Sequence, residues 1–110
     1  MTIAIPLSEG KLSSHFGHCE QFALFQVENR SVKNRKDLNP PQHEPGLLPR
    51  WLKEQGVDVV IAGGMGRRAQ DIFRAVGVEI VCGAHPQIPE DVVEQFLGGR
   101  LESGDNTCDH

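Results

Sequence analysis

Apolar positions along the chain follow two periods, and these divide it into strands and helices. Residues 2–7 are a short apolar run closed by Ser8-Glu9-Gly10, which reads as a buried strand leaving into a loop over residues 11–20. From Gln21 to Glu28, Phe22, Leu24, Gln26 and Glu28 alternate with Ala23, Phe25 and Val27. Asn29-Arg30-Ser31 then supplies turn chemistry before residues 32–38, so the pattern predicts a hairpin. Arg30, Lys33, Arg35 and Lys36 make its second strand polar and basic. That suits a solvated sheet edge protected against pairing with other chains, with a basic patch for a partner as the alternative.

Residues 39–46 carry Pro40, Pro41 and Pro45 and read as a loop, because each proline removes a backbone donor and turns its predecessor away from helix. Leu47, Leu48, Trp51 and Leu52 then share one helical face, with Pro49 tolerable in the first turn and Gly56 just past the end. Residues 58–62 form a continuous apolar run typical of a central parallel strand covered on both faces. After Gly63-Gly64-Met65-Gly66, Ala69, Ile72, Phe73 and Val76 form a helical stripe that ends at Gly77. Residues 78–82 are a further buried strand. Pro89 opens a last helix whose first turn holds Glu90 and Asp91 and whose inner face is Val92, Val93, Phe96 and Leu97.

This order predicts an α/β fold: one domain over residues 1–101, a mixed sheet of about five strands with flanking helices, and a flexible tail over residues 102–110. Right-handed crossovers make the strands near Thr2, Asp58 and Val78 parallel, and ligands of such sheets gather at the carboxyl ends of the strands. His15, His18 and Cys19 follow the first of these strands, residues 63–66 the second, and Cys82-Gly83-Ala84-His85 the third. His43, just before the first helix, is expected to start near the same rim.

Charge and cysteine usage narrow the function. Eleven Lys and Arg against fifteen Asp and Glu give a formal charge of −4, which argues against a general nucleic-acid binder. No apolar run approaches a membrane span and the amino terminus lacks signal-peptide features, so a soluble cytoplasmic protein is expected, with neither nucleic acid nor membrane as partner. Three cysteines suit free thiols or metal ligands better than a disulfide framework.

Ser14-His15-Phe16-Gly17-His18-Cys19 places two imidazoles and a thiol within five positions, donors that zinc, copper and metal-sulfur clusters accept. The other reading makes Phe16 a core plug, Gly17 a turn residue and the histidines solvent-facing groups. Gly63, Gly64 and Gly66 join a strand to a helix, where backbone N–H groups can approach an anion. Arg67 and Arg68 oppose the helix dipole in the first turn, a placement that a bound anion would relieve. A tight turn requiring glycine is the alternative. Gly64-x-Gly66-x-x-Ala69 matches a dinucleotide fingerprint only superficially, since the acidic residue expected about 20 positions on is missing. Met65 reads as loop filling and Cys82 as a small core residue. No hydrolytic constellation is present.

His15-Phe16-Gly17, the run from Gly63 to Ala69 ahead of Phe73, Gly77-Val78-Glu79-Ile80-Val81 and the Cys108-x-His110 ending together resemble the dinitrogenase iron-molybdenum cofactor biosynthesis family. The resemblance spans nearly the whole chain. It implies a ribonuclease-H-like α/β fold and non-catalytic binding or carrying of iron-molybdenum cofactor precursors or related metal-sulfur clusters, with cluster-donor or acceptor proteins as partners. Carried onto this sequence, it places His15, Gly17, Gly63, Gly64, Gly66, Arg67 and Arg68 around an anionic cluster, with His18 and Cys19 offering further ligands or hydrogen bonds. A simpler zinc or transition-metal module would use His18, Cys19, Cys108 and His110, and the last two are expected to reach the rim on a tail that orders when metal or cluster binds. A protein-interaction module without metal is a third possibility.

Overall fold

Strand β1 (Thr2–Ser8) is the centre from which the molecule is built. In this computed structural model, which describes residues 1–41 and 46–101, six of its seven residues are buried. His43, Cys108, His110 and the expected tail over residues 102–110 lie outside the described residues. β1 turns back at Glu9 and Gly10, both with positive φ, into the two-residue strand β2 (Lys11–Leu12), which pairs antiparallel with it. A short 3-10 turn over Phe16–His18 then leads to the hairpin of β3 (Gln21–Glu28) and β4 (Ser31–Leu38). Asn29 and Arg30 both have positive φ at its turn, the geometry that matches strand twist in two-residue hairpins.

Helix α1 (Leu47–Glu54), β5 (Val59–Ile61), α2 (Arg67–Ala75), β6 (Glu79–Val81) and α3 (Pro89–Leu97) complete the chain. The sheet order is β4-β3-β1-β5-β6, with β2 on β1. β3 is antiparallel to β1, whereas β5 and β6 run parallel to it, as the crossover argument requires. The sheet has six strands rather than the five expected. β2 lies inside the segment read as a loop, because two residues are too few to show an alternation and only their pairing with Leu7 and Ser8 defines them as a strand.

Alternation along β1 divides the interior in two. Ile3, Ile5 and Leu7 join Phe25, Val27, Ile61, Val92 and Val93 beneath α3. Ala4 joins Phe16, Phe22, Leu24, Leu52, Val60 and Phe73 beneath α1 and α2. Helices on both faces explain why β1 and β5 read as unbroken apolar runs while the hairpin alternates. Away from the rim, the Asp58 carboxylate accepts the Thr2 N–H at 2.8 Å and its N–H donates to the Thr2 carbonyl at 2.9 Å, stitching the two parallel strands at their start. The result is a single compact α/β domain with a Cα radius of gyration of 12.5 Å, close to the roughly 13 Å expected for this length. No helix among the described residues is long and apolar enough to cross a membrane.

Candidate functional site

At the carboxyl ends of β1, β5 and β6 the sheet's hydrogen bonding continues into the loops. His15 and Gly64 pair as an isolated parallel bridge: the Phe16 N–H donates to the Gly64 carbonyl at 2.9 Å, and the Gly64 N–H to the Ser14 carbonyl at 2.8 Å. On the other side, the Gly83 N–H donates to the Gly63 carbonyl and the Ala84 N–H to the Ala62 carbonyl. The Leu12 N–H reaches the Gln87 carbonyl at 2.9 Å. Three loops distant in sequence thereby form one continuous rim.

Close packing of these backbones accounts for one glycine. A Cβ on Gly63 would lie 2.9 Å from both the Ser13 carbonyl oxygen and the Ser14 Cα, so the backbones can meet only where that carbon is missing. Gly17 and Gly66 differ, since a Cβ on either would project into open space and neither has a positive φ. Both are exposed, so a ligand could approach their backbone closely. Gly66 precedes α2, whose first turn has no side-chain cap and no acidic residue, while Arg67 and Arg68 are exposed. The N–H groups there are unscreened by any carboxylate of that turn, which suits an anion.

The 3-10 turn sorts the other candidates. Residues three apart eclipse in such a turn. Phe16 and Cys19 accordingly face the core under α1 and α2, where Phe16 meets Phe22 and Phe73 at ring-centroid distances of 5.6 and 5.5 Å. His15 and His18 face outward with their rings edge to face, centroids 6.1 Å apart. They line a cavity of about 520 Å³ together with Lys11, Ser13, Ser14 and Pro86. Glu9 also borders it, and Lys11 balances that charge, leaving imidazoles and hydroxyls as the main chemistry of the cavity wall.

His18 and Cys19 are thus adjacent in sequence but turned to different sides. Burial pushes the Cys19 thiol up from its usual value near 9.0 to about 11, so at neutral pH it is a protonated, poor ligand. Alkylation of Cys19, followed by mass spectrometry of its peptide, is expected to be slow at neutral pH and to accelerate towards pH 11. The unfolded thiol ionises before the folded one. The folded state therefore holds more protons between about pH 9 and 11, and Cys19's contribution to stability is lost as pH rises through that window. Among the described residues no three His, Cys, Asp or Glu side chains gather as a metal site.

Two residues that the sequence reading passed over position the site. Buried Ser13 accepts the His15 N–H at 3.2 Å and donates its hydroxyl to the His15 carbonyl at 2.9 Å, fixing the backbone that carries the imidazole. Buried Gln70 donates its amide to the Met65 carbonyl at 2.8 Å and accepts from Arg74, holding the glycine loop from below. The serine two residues before His15 was a readable signal for a local side-chain turn, whereas Gln70 on a helix gave none. Met65 is fully buried as loop filling, and Cys82 packs partly buried against the same core.

The fold is that of a small α/β protein, and the rim lies at the carboxyl ends of the parallel strands, where ligands of open α/β sheets gather. The family model for dinitrogenase iron-molybdenum cofactor proteins matches residues 1–99, and the chain belongs to that family. An uncharacterised protein of Methanocaldococcus jannaschii, MJ0580, is 31% identical over 107 residues, covering 93% of this chain and 90% of its own. The crystal structure of PH0822 superimposes with a TM-score of 0.88 at 34% identity over 94% of each chain. The apo form of the orange protein from Desulfovibrio gigas shares the fold, with a TM-score of 0.74 at 18% identity over 96% of this chain and 93% of that one. Family membership connects the chain with iron-molybdenum-cofactor-related metal-cluster processes.

Proposed function

We propose that this protein binds an anionic metal-sulfur cluster, of iron-molybdenum type or a precursor of one, and carries it between donor and acceptor proteins without catalysing a reaction. One observation carries the reading: the bridge between His15 and Gly64 joins the imidazole-bearing segment directly to the glycine loop that opens α2. Imidazole nitrogens can ligate or hydrogen-bond the cluster, while the backbone N–H groups near Gly66 and the guanidinium groups of Arg67 and Arg68 offset its negative charge. The strand order β4-β3-β1-β5-β6 also supports reading the fold as the ribonuclease-H-like arrangement implied by the family resemblance. The zinc module is weaker, because Cys19 packs inward and away from His18.

Anaerobic incubation with a thiomolybdate-iron cluster, followed by desalting, elemental analysis and absorption spectroscopy, tests the proposal. The expected result is co-purifying metal and sulfide with visible charge-transfer bands, diminished by the double substitution of His15 and His18 with alanine. A protein that holds only colourless zinc, or retains no cluster, would overturn it. Replacing Arg67 and Arg68 with glutamine is expected to weaken cluster affinity and flatten its salt dependence while the domain remains folded. Binding titrations at two salt concentrations, paired with thermal melts, check this.

A further inference from the structure

The long free edge of the sheet has features that cluster carriage does not use. β4 pairs with β3 on one side and with no strand on the other among the described residues; its register shifts at Lys33, between Val32 opposite Val27 and Asn34 opposite Gln26, so the regular part of the free edge is Asn34–Leu38. Four basic residues stand along it or at its entry, and the structure divides them. Arg35 is already engaged: it pairs with Asp37 at 2.8 Å and with Glu90 of α3, and lies over the Phe25 ring. Arg30, Lys33 and Lys36 are exposed and have no ion-pair partner among the described residues. Val32, opposite Val27, remains 46% exposed and gives the same edge an apolar foothold.

A second copy of this chain fits the edge poorly. Full antiparallel overlap of the regular stretch Asn34–Leu38 with itself would set Lys36 opposite the other copy's Lys36, and like charges directly opposite destabilise a strand pair. The exposed Lys33 and Lys36 favour instead an incoming strand that carries carboxylates against them. Because Leu38 lies opposite Phe22, and Phe22 opposite Pro6, the edge runs up to the rim from the side and leaves the rim uncovered.

We propose that the outer edge of β4 receives an acidic, extended segment of a partner protein as an additional strand. Main-chain hydrogen bonds would supply affinity, and Lys33 and Lys36 would select acidic side chains. The proposal is independent of what the rim carries. The probe is a synthetic Thr-rich peptide long enough to span β4, with Glu at the positions that face Lys33 and Lys36, titrated to millimolar concentration against the full chain by NMR. Slowed amide exchange within Ser31–Leu38 is expected. Two peptides, each N-methylated on one alternate set of amides, separate strand addition from simple charge attraction: one set should block binding and the other should not. Lys33→Glu with Lys36→Glu should weaken binding about tenfold, with an unchanged circular dichroism spectrum. Failure to protect the β4 amides, equal binding by both methylated peptides, or perturbation confined to the rim would each overturn the proposal. Self-association through β4 without peptide, or equivalent protection by polyphosphate, would overturn it in favour of a second copy or a charge patch.

Discussion

Phe16→Ala is expected to destabilise the domain by about 3–5 kcal/mol, the range for truncating a buried phenylalanine. Phe16 is only 4% exposed and is wedged between Phe22 and Phe73, while Phe22 in turn meets Trp51. Its removal leaves a void bordered by β3, α2 and the glycine loop. For a domain of this size, the melting temperature should fall on the order of 15–25 °C. The backbone of Phe16 also donates to Gly64, so whatever remains folded should hold cluster poorly. Chemical denaturation checks the first effect and cluster retention in the cold the second. A loss below about 1 kcal/mol would mean that the rim can close over the void without its plug.

Gly63→Ala should act at the backbone. The new Cβ must displace the Ser13 and Ser14 main chain from 2.9 Å, an overpacking cost of about 1–3 kcal/mol because neither contact belongs to a flexible side chain. The displacement moves the segment that holds His15, so cluster retention should fall along with stability. Gly66→Ala serves as the contrast. Its Cβ meets no protein atom within 4 Å, so stability should change by less than about 0.5 kcal/mol while binding weakens if a ligand approaches that backbone. Thermal melts and cluster titration of both variants separate a glycine needed for packing from one needed for access.

The contrast also shows what can be read from a sequence of this kind. The hairpin was legible to the residue at β3, because alternation across a half-covered sheet leaves a strong period and Asn29-Arg30 marks its turn. The three helices were legible from their apolar stripes and flanking glycines and prolines. β2 was not, since its identity lies in pairing rather than periodicity. At the site, placement at the strand ends followed from topology, but the division between His18 and Cys19 did not. That division depends on a 3-10 turn whose existence rests on Phe16 filling a space created by β3 and α2, residues distant in the chain. The reason for Gly63 was hidden in the same way, because it lies in the nearness of Ser13 and Ser14.

Ladder hydrogen bonds that run past the last strand residues have a thermodynamic consequence for any ligand. Loops that close over a guest usually surrender backbone entropy when they do so, and affinity is reduced by that amount. Here the amides of Phe16, Gly64, Gly83 and Ala84 are already held by neighbouring carbonyls. The backbone freedom of the rim is therefore lost during folding, before any guest arrives. On the proposed function, docking and release would involve mainly the imidazole, guanidinium and hydroxyl groups at the surface, whose rotamers interconvert within nanoseconds. The backbone of the rim would then need no opening step to exchange a guest.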